Sequence, residues 1–133
     1  MRNNLISSLC IMLMLAILGT GCKPESLPVT PEEDLKISTD APSYLTTPAA
    51  DFSFNLKIES KMPVNGVLVE NYVKSEIDNQ NYSQGPVINS STSIIPISIG
   101  NLPRQKICIC TVTVTSKTRS TNKAIQTFRI VYK

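Results

Sequence analysis

The sequence predicts an all-β fold, a small antiparallel β-sandwich of about seven short strands. Three observations point to it. Apolar and polar residues alternate with a period of two in several stretches, turn-forming residues separate these stretches about every 10 to 15 residues, and no segment carries a helical period of useful length.

The strands can be read in order from residue 34 onward. Leu35 to Thr39 is a short first strand, and Pro42 and Pro48 punctuate the residues after it. Asp51 to Glu59 alternates cleanly, with Phe52, Phe54, Leu56 and Ile58 on one face and Ser53, Asn55, Lys57 and Glu59 on the other. That is the pattern of a half-buried antiparallel strand. Met62 to Gly66 forms a turn. Gly66 to Ser75 is the next strand, with Val67, Val69 and Val73 on one face and Leu68 and Tyr72 on the other. Glu76 to Gly85 is polar, with room for one short strand near Asn81. Ser91 to Ile99 carries Pro96, which cannot donate to a ladder, so this strand belongs at a sheet edge or at a bulge. Lys106 to Ser116 is the strongest strand signal; Cys108, Cys110, Val112 and Val114 share one face, and Ile107, Ile109, Thr111 and Thr113 share the other. A polar hairpin, Lys117 to Lys123, leads into a last strand, Ala124 to Tyr132, with Phe128, Ile130 and Tyr132 inward.

From Leu35 to Lys133 this pattern resembles the immunoglobulin-like and fibronectin type III-like domains of bacterial surface lipoproteins. The most telling part is the Leu102-Pro103 turn running into the Val112/Val114 strand, then the polar hairpin and final strand. The resemblance implies a seven-stranded Ig-like (fibronectin type III-like) antiparallel sandwich with Greek-key links. Many fibronectin-like domains carry a tryptophan on the second strand and a tyrosine early in the sixth; here Phe54 stands in for the first and Cys108 for the second.

The N-terminus has a different character. Met1 to Asn4 carries one positive charge, Leu5 to Leu18 is largely apolar, and Gly19-Thr20-Gly21 precedes Cys22. A basic start, a short apolar stretch and small residues at a cut site make a secretory signal. With the cysteine directly after them, residues 1–22 resemble a bacterial lipoprotein signal. The resemblance implies cleavage before Cys22, acylation of that residue and anchoring in a membrane. Its departure from the family pattern is Gly19, where a leucine usually lies three residues before the cysteine; Leu18 sits one further back. A plain signal peptide cut near Gly21 and an uncleaved anchor are the alternatives, although the apolar stretch falls short of the roughly 20 residues a spanning helix needs. At about 0.8 kcal/mol per buried CH₂, several acyl chains hold a protein on a bilayer almost permanently. Position 23 is Lys rather than Asp, which in lipoproteins leans toward the outer membrane, at its cell-surface or periplasmic face.

These readings divide the chain into a lipoprotein signal peptide (1–21), a lipidated proline-rich linker (22–33) and an Ig-like β-sandwich domain (34–133). The linker holds Pro24, Pro28 and Pro31. As an extended polyproline-like leader at about 3.1 Å per residue, it reaches roughly 35 Å.

Of the four cysteines, the lipoprotein resemblance implies that Cys10 leaves with the signal and that Cys22 is acylated, which leaves Cys108 and Cys110 in the domain. Two apart on a strand, they share a face with Cα atoms about 6.5 to 7 Å apart, at the limit of unstrained bridging. Two buried free thiols are expected; a strained C-x-C disulfide and a redox role are the alternatives. With no histidine in the chain, the pair makes a poor zinc site.

The absence of histidine also removes the commonest base for a serine or cysteine nucleophile. Acid–base pairs would have to come from Asp51, Glu59, Glu70, Glu76 or Asp78, and Glu59 and Glu70 lie on outward strand faces. Glu76, Asp78, Asn79 and Asn81 form a short oxygen-rich stretch without the spacing of a calcium loop, and a solvated turn is the simpler reading. No glycine-rich phosphate loop, cofactor motif or metal set is present in the sequence. The chain reads as a non-enzyme without cofactors, and its compartment argues against nucleic acid.

Charge is uneven. Lys23 to Asp78 carries ten acidic and five basic residues; Asn79 to Lys133 carries seven basic and none acidic. Either the basic half faces an acidic partner, or it interleaves with acidic strands once folded, the reading favoured here. The function expected is a lipid-anchored, non-catalytic binding or adhesion module of the cell envelope, for a glycan or protein ligand. Lys117, Arg119 and Lys123 of the last hairpin are its candidate contacts, with Met62, Asn65 and Tyr82 in other loops. The alternative is a structural accessory subunit of a larger envelope complex, docking through an edge strand.

Overall fold

The computed structural model describes residues 30–133, and Glu32–Lys133 form one compact unit. The fold is all-β. Its nine strands are β1 (Ile37–Thr39), β2 (Tyr44–Thr47), β3 (Phe52–Ile58), β4 (Val67–Ser75), β5 (Asn81–Gln84), β6 (Ile88–Ser90), β7 (Ile94–Ile99), β8 (Ile107–Ser116) and β9 (Lys123–Tyr132). They build two sheets: β1-β3-β7, and β2-β9-β8-β4-β5 with β6 also on β4.

The alternation expected of β3 is the alternation observed, with Phe54, Leu56 and Ile58 buried and Ser53, Asn55 and Lys57 exposed. β8 lies between β4 and β9 and turns Cys108, Cys110, Val112 and Val114 inward. The two sheets meet through these inward faces. Phe54 of one sheet packs edge-on against Phe128 of the other, ring centroids 5.0 Å apart, and Leu56, Ile95 and Ile97 share a core with Val69, Val73, Val112 and Ile130. Phe54 therefore lies in the core, between Phe52, stacked on one side, and Phe128. Pro96 sits in β7, at the edge of the smaller sheet, as its missing N–H requires.

The structure departs from the expected count and pairing in two places. Nine strands form rather than seven. The additional ones are β2, four residues held between Pro42 and Pro48, and β6, three residues following Gly85-Pro86. Nor is the pairing wholly antiparallel, because β2 runs parallel to β9, with Tyr44 opposite Arg129 and Thr47 opposite Tyr132. The bend at residues 40–43 carries the chain from one sheet to the other, so β1 pairs with β3 and β2 with β9.

Two turns use the same device. Ser75, the last residue of β4, accepts the Ile77 and Asp78 N–H groups on its hydroxyl. Ser116, the last residue of β8, accepts those of Thr118 and Arg119 at 3.0 and 3.1 Å. Each buried serine thus holds its turn locally, as short hydroxyl side chains do.

Candidate functional site

The β8–β9 hairpin gathers most of the residues of interest. Asn122 is buried there and binds the first residues of the compact unit. Its Oδ1 accepts the Leu35 N–H at 2.8 Å, and its Nδ2 donates to Glu32 Oε1 at 2.6 Å and to the Glu33 carbonyl at 2.9 Å. Arg119 donates to Asp34 Oδ1 at 2.6 Å. Of the three predicted contacts in this hairpin, Arg119 is thus engaged with the chain's own acidic segment, whereas Lys117 and Lys123 are exposed and form no ion pair among the described residues. Charge interleaving recurs elsewhere: Arg129 meets Glu76 at 2.7 Å and Lys106 meets Asp78 at 3.7 Å. Carboxylates of the acidic half thus neutralise three of the seven basic residues of the other half. These pairs are exposed, and solvent screening leaves each of them weak.

Next to the hairpin, Asn65, Asn89, Ser90, Ser91 and Lys117 line an open depression of about 140 Å³. The Asn65 and Lys117 loops and the end of β6 converge on it, and hydrogen bonds fix the two loops to each other. The Lys117 N–H donates to the Gly66 carbonyl at 3.0 Å, and the Asn65 N–H donates to Thr118 Oγ1 at 3.1 Å. Gly66 has a φ of 76°, and a side chain there would run into the Ser90 carbonyl. Only glycine allows this close approach at low cost. The Ser90 hydroxyl is already bonded to Thr92, whose N–H it accepts at 3.1 Å. The side chains of Asn65, Asn89, Ser91 and Lys117 are exposed and make no hydrogen bond within the described residues.

The other predicted contacts lie elsewhere. Met62 lies in the loop before β4, is half-buried and packs against the core. Tyr82 lies in β5, which pairs with the end of β4 remote from Gly66. Its hydroxyl accepts from Lys106 at 2.7 Å and donates to Gln80 at 2.9 Å, and the Lys106 ammonium lies 5.4 Å from the ring centroid. The hydrogen bond to the Tyr82 hydroxyl and the charge interaction with that phenol raise the Lys106 pKa, with Asp78 adding to the effect. In the oxygen-rich stretch, Glu76 and Asp78 face Arg129 and Lys106, and Asp78 Oδ1 accepts the Gln80 N–H at 3.1 Å, the geometry of a capped turn.

Cys108 and Cys110 are buried free thiols. Burial raises both pKa values, that of Cys110 to about 12, which suppresses the thiolate that redox chemistry or metal binding would need. Cys22, the expected lipidation site, lies outside the described residues, as do the signal peptide and most of the linker.

The sheet edges bear on the accessory-subunit alternative. β1 has three residues, β2 has four between two prolines, β7 carries Pro96 in its middle, and Gly85-Pro86-Val87 separates β5 from β6. Short, proline-marked edges are poor templates for an added strand.

No protein-family model and no curated protein matches this chain.

The polar depression was only partly legible in the sequence. Asn65 and Lys117 were readable as loop residues. Asn89 lies in β6, which carries too little alternation to be recognised, and Ser91 reads as the start of the Ser91–Ile99 strand rather than as a contact.

Proposed function

We propose that this protein is a lipid-anchored, non-catalytic binding module of a bacterial cell envelope, built on an Ig-like, fibronectin type III-like sandwich. One observation carries the binding reading. Asn65 and Lys117, far apart in sequence, line one depression with Asn89 and Ser91, and the side chains of these four make no hydrogen bond among the described residues. Loops on a rigid sheet scaffold are the usual place for such contacts. The strand order supports the Ig-like assignment: β1-β3-β7 faces β9-β8-β4-β5, and a short switched strand runs parallel to the last one. The anchor rests on the sequence of residues 1–22, and Lys23 favours the outer membrane.

Membrane flotation tests the anchor, and binding of the purified mature chain to isolated envelopes tests the module. Expected results are co-flotation with outer membranes that is lost in Cys22→Ser, and salt-sensitive envelope binding that weakens in the Lys117→Ser/Lys123→Ser double variant. A wild-type chain that stays soluble would contradict the anchor, and envelope binding untouched by the double variant would contradict the hairpin-end site.

A further inference from the structure

We infer that the depression beside the β8–β9 hairpin binds one carboxylate-bearing sugar unit of a larger saccharide, an inference that rests on the binding-module reading above. Its lining defines the chemistry. Asn65 and Asn89 offer two carboxamides, each able to donate and accept; Ser91 offers a hydroxyl; Lys117 offers an ammonium. Carboxamides and hydroxyls match the paired donors and acceptors of vicinal sugar hydroxyls, and the single cation matches a single carboxylate.

The volume limits the ligand. About 140 Å³ lies well below the roughly 300 Å³ at which pockets for whole drug-sized ligands begin. A single terminal or side unit fits such a hollow, while the rest of the ligand remains in solvent. The backbone of the walls is set before binding. The Gly66 backbone presses on Ser90, Lys117 is held through its N–H, and the Asn65 backbone is held by Thr118. Preorganised walls reduce the ordering cost of association. Across the lining no carboxylate opposes an anion, and of the acidic residues before β1, Asp34 pairs with Arg119 and Glu33 with Lys36, while Glu32 bonds the neutral Asn122 amide.

The test is a titration of the purified mature chain, acylated and in detergent, with di-galacturonic acid and, separately, with its methyl ester. Amide chemical shifts serve as the readout. The expected result is saturable movement at Asn65, Asn89 and Lys117, with the acid binding about tenfold more tightly than the ester, the worth of one charged hydrogen bond. Lys117→Ser removes that preference, Asn89→Ala weakens acid and ester alike, and Lys133→Ser, at the far end of β9, changes neither. Equal binding of acid and ester, a preference that survives Lys117→Ser, or no shift with either sugar would overturn the inference. Binding of the same sample to isolated envelopes separates the two readings. Protein that binds envelopes but neither sugar removes the sugar site and leaves the binding module standing, and protein that binds neither envelopes nor sugar removes both.

Discussion

The Leu35 N–H donates to the Asn122 side-chain oxygen at 2.8 Å, joining the start of the compact unit to the last hairpin across 87 residues of sequence. The Asn122 Nδ2 donates to Glu32 and to the Glu33 carbonyl, so one buried side chain fastens the whole segment. Asn122→Ala leaves the Leu35 N–H buried without a partner and removes two further bonds. We expect a loss of about 1 to 3 kcal/mol in urea unfolding, with proteolysis appearing near residues 32–35. Stability unchanged to within a few tenths of a kcal/mol would show that water replaces the amide without cost.

The sidedness of β3 yields a sharper contrast between neighbours. Leu56 is fully buried, whereas Lys57 is exposed beside Glu59. Leu56→Ala is expected to cost about 2 to 5 kcal/mol and Lys57→Ala less than about 0.5 kcal/mol. Thermal or urea denaturation measures both, and similar losses for the two would mean that β3 does not face the core as described.

How far the sequence revealed the fold depends on which force shaped each element. β3, β8 and β9 were readable because burial on one face alone imposes strict alternation over seven or more residues. β2 was not, because its four residues lie between two prolines and its parallel partner, β9, is some 80 residues away in the chain. Nothing local marks such a pairing. The Asn122 clamp was missed for a related reason. In a run of hairpin polar residues, the one that turns inward to meet the N-terminal segment looks like its solvated neighbours. The charge asymmetry, by contrast, resolved into interleaving for three of the seven basic residues, since Arg119, Lys106 and Arg129 each meet a carboxylate of the other half, while Lys117 and Lys123 form no ion pair among the described residues.

Acid should weaken the fold in a defined window. The Asn55 backbone N–H and then its side-chain amide bond the Asp40 carboxylate, lowering its pKa from the ordinary 3.8. The Ser38 hydroxyl and then Lys57 lower that of Glu59 from 4.5. Both groups bind protons less readily folded than unfolded. The stability they contribute is therefore present above those ordinary values and is lost as the pH falls through the lower folded-state values. Unfolding midpoints measured from pH 6 downward should hold steady to about pH 5 and then decline; in an Asp40→Asn/Glu59→Gln variant the decline should be shallower. An equally steep decline in the variant would assign the acid sensitivity to other groups.

The thiols should be silent in the folded protein. Burial raises the pKa of Cys110 to about 12 and raises that of Cys108 as well. Iodoacetamide at pH 8, followed by peptide mapping, should leave both residues unlabelled in native protein and label both in urea. Native labelling, or a Cys108–Cys110 bridge in the map, would contradict two buried free thiols.

The most direct test of a tethered envelope module is the intact mass of its N-terminal peptide from the native host. The account expects a chain that begins at Cys22 and carries acyl groups on that residue. A peptide that still contains residues 1–21, or an unmodified Cys22, would contradict it.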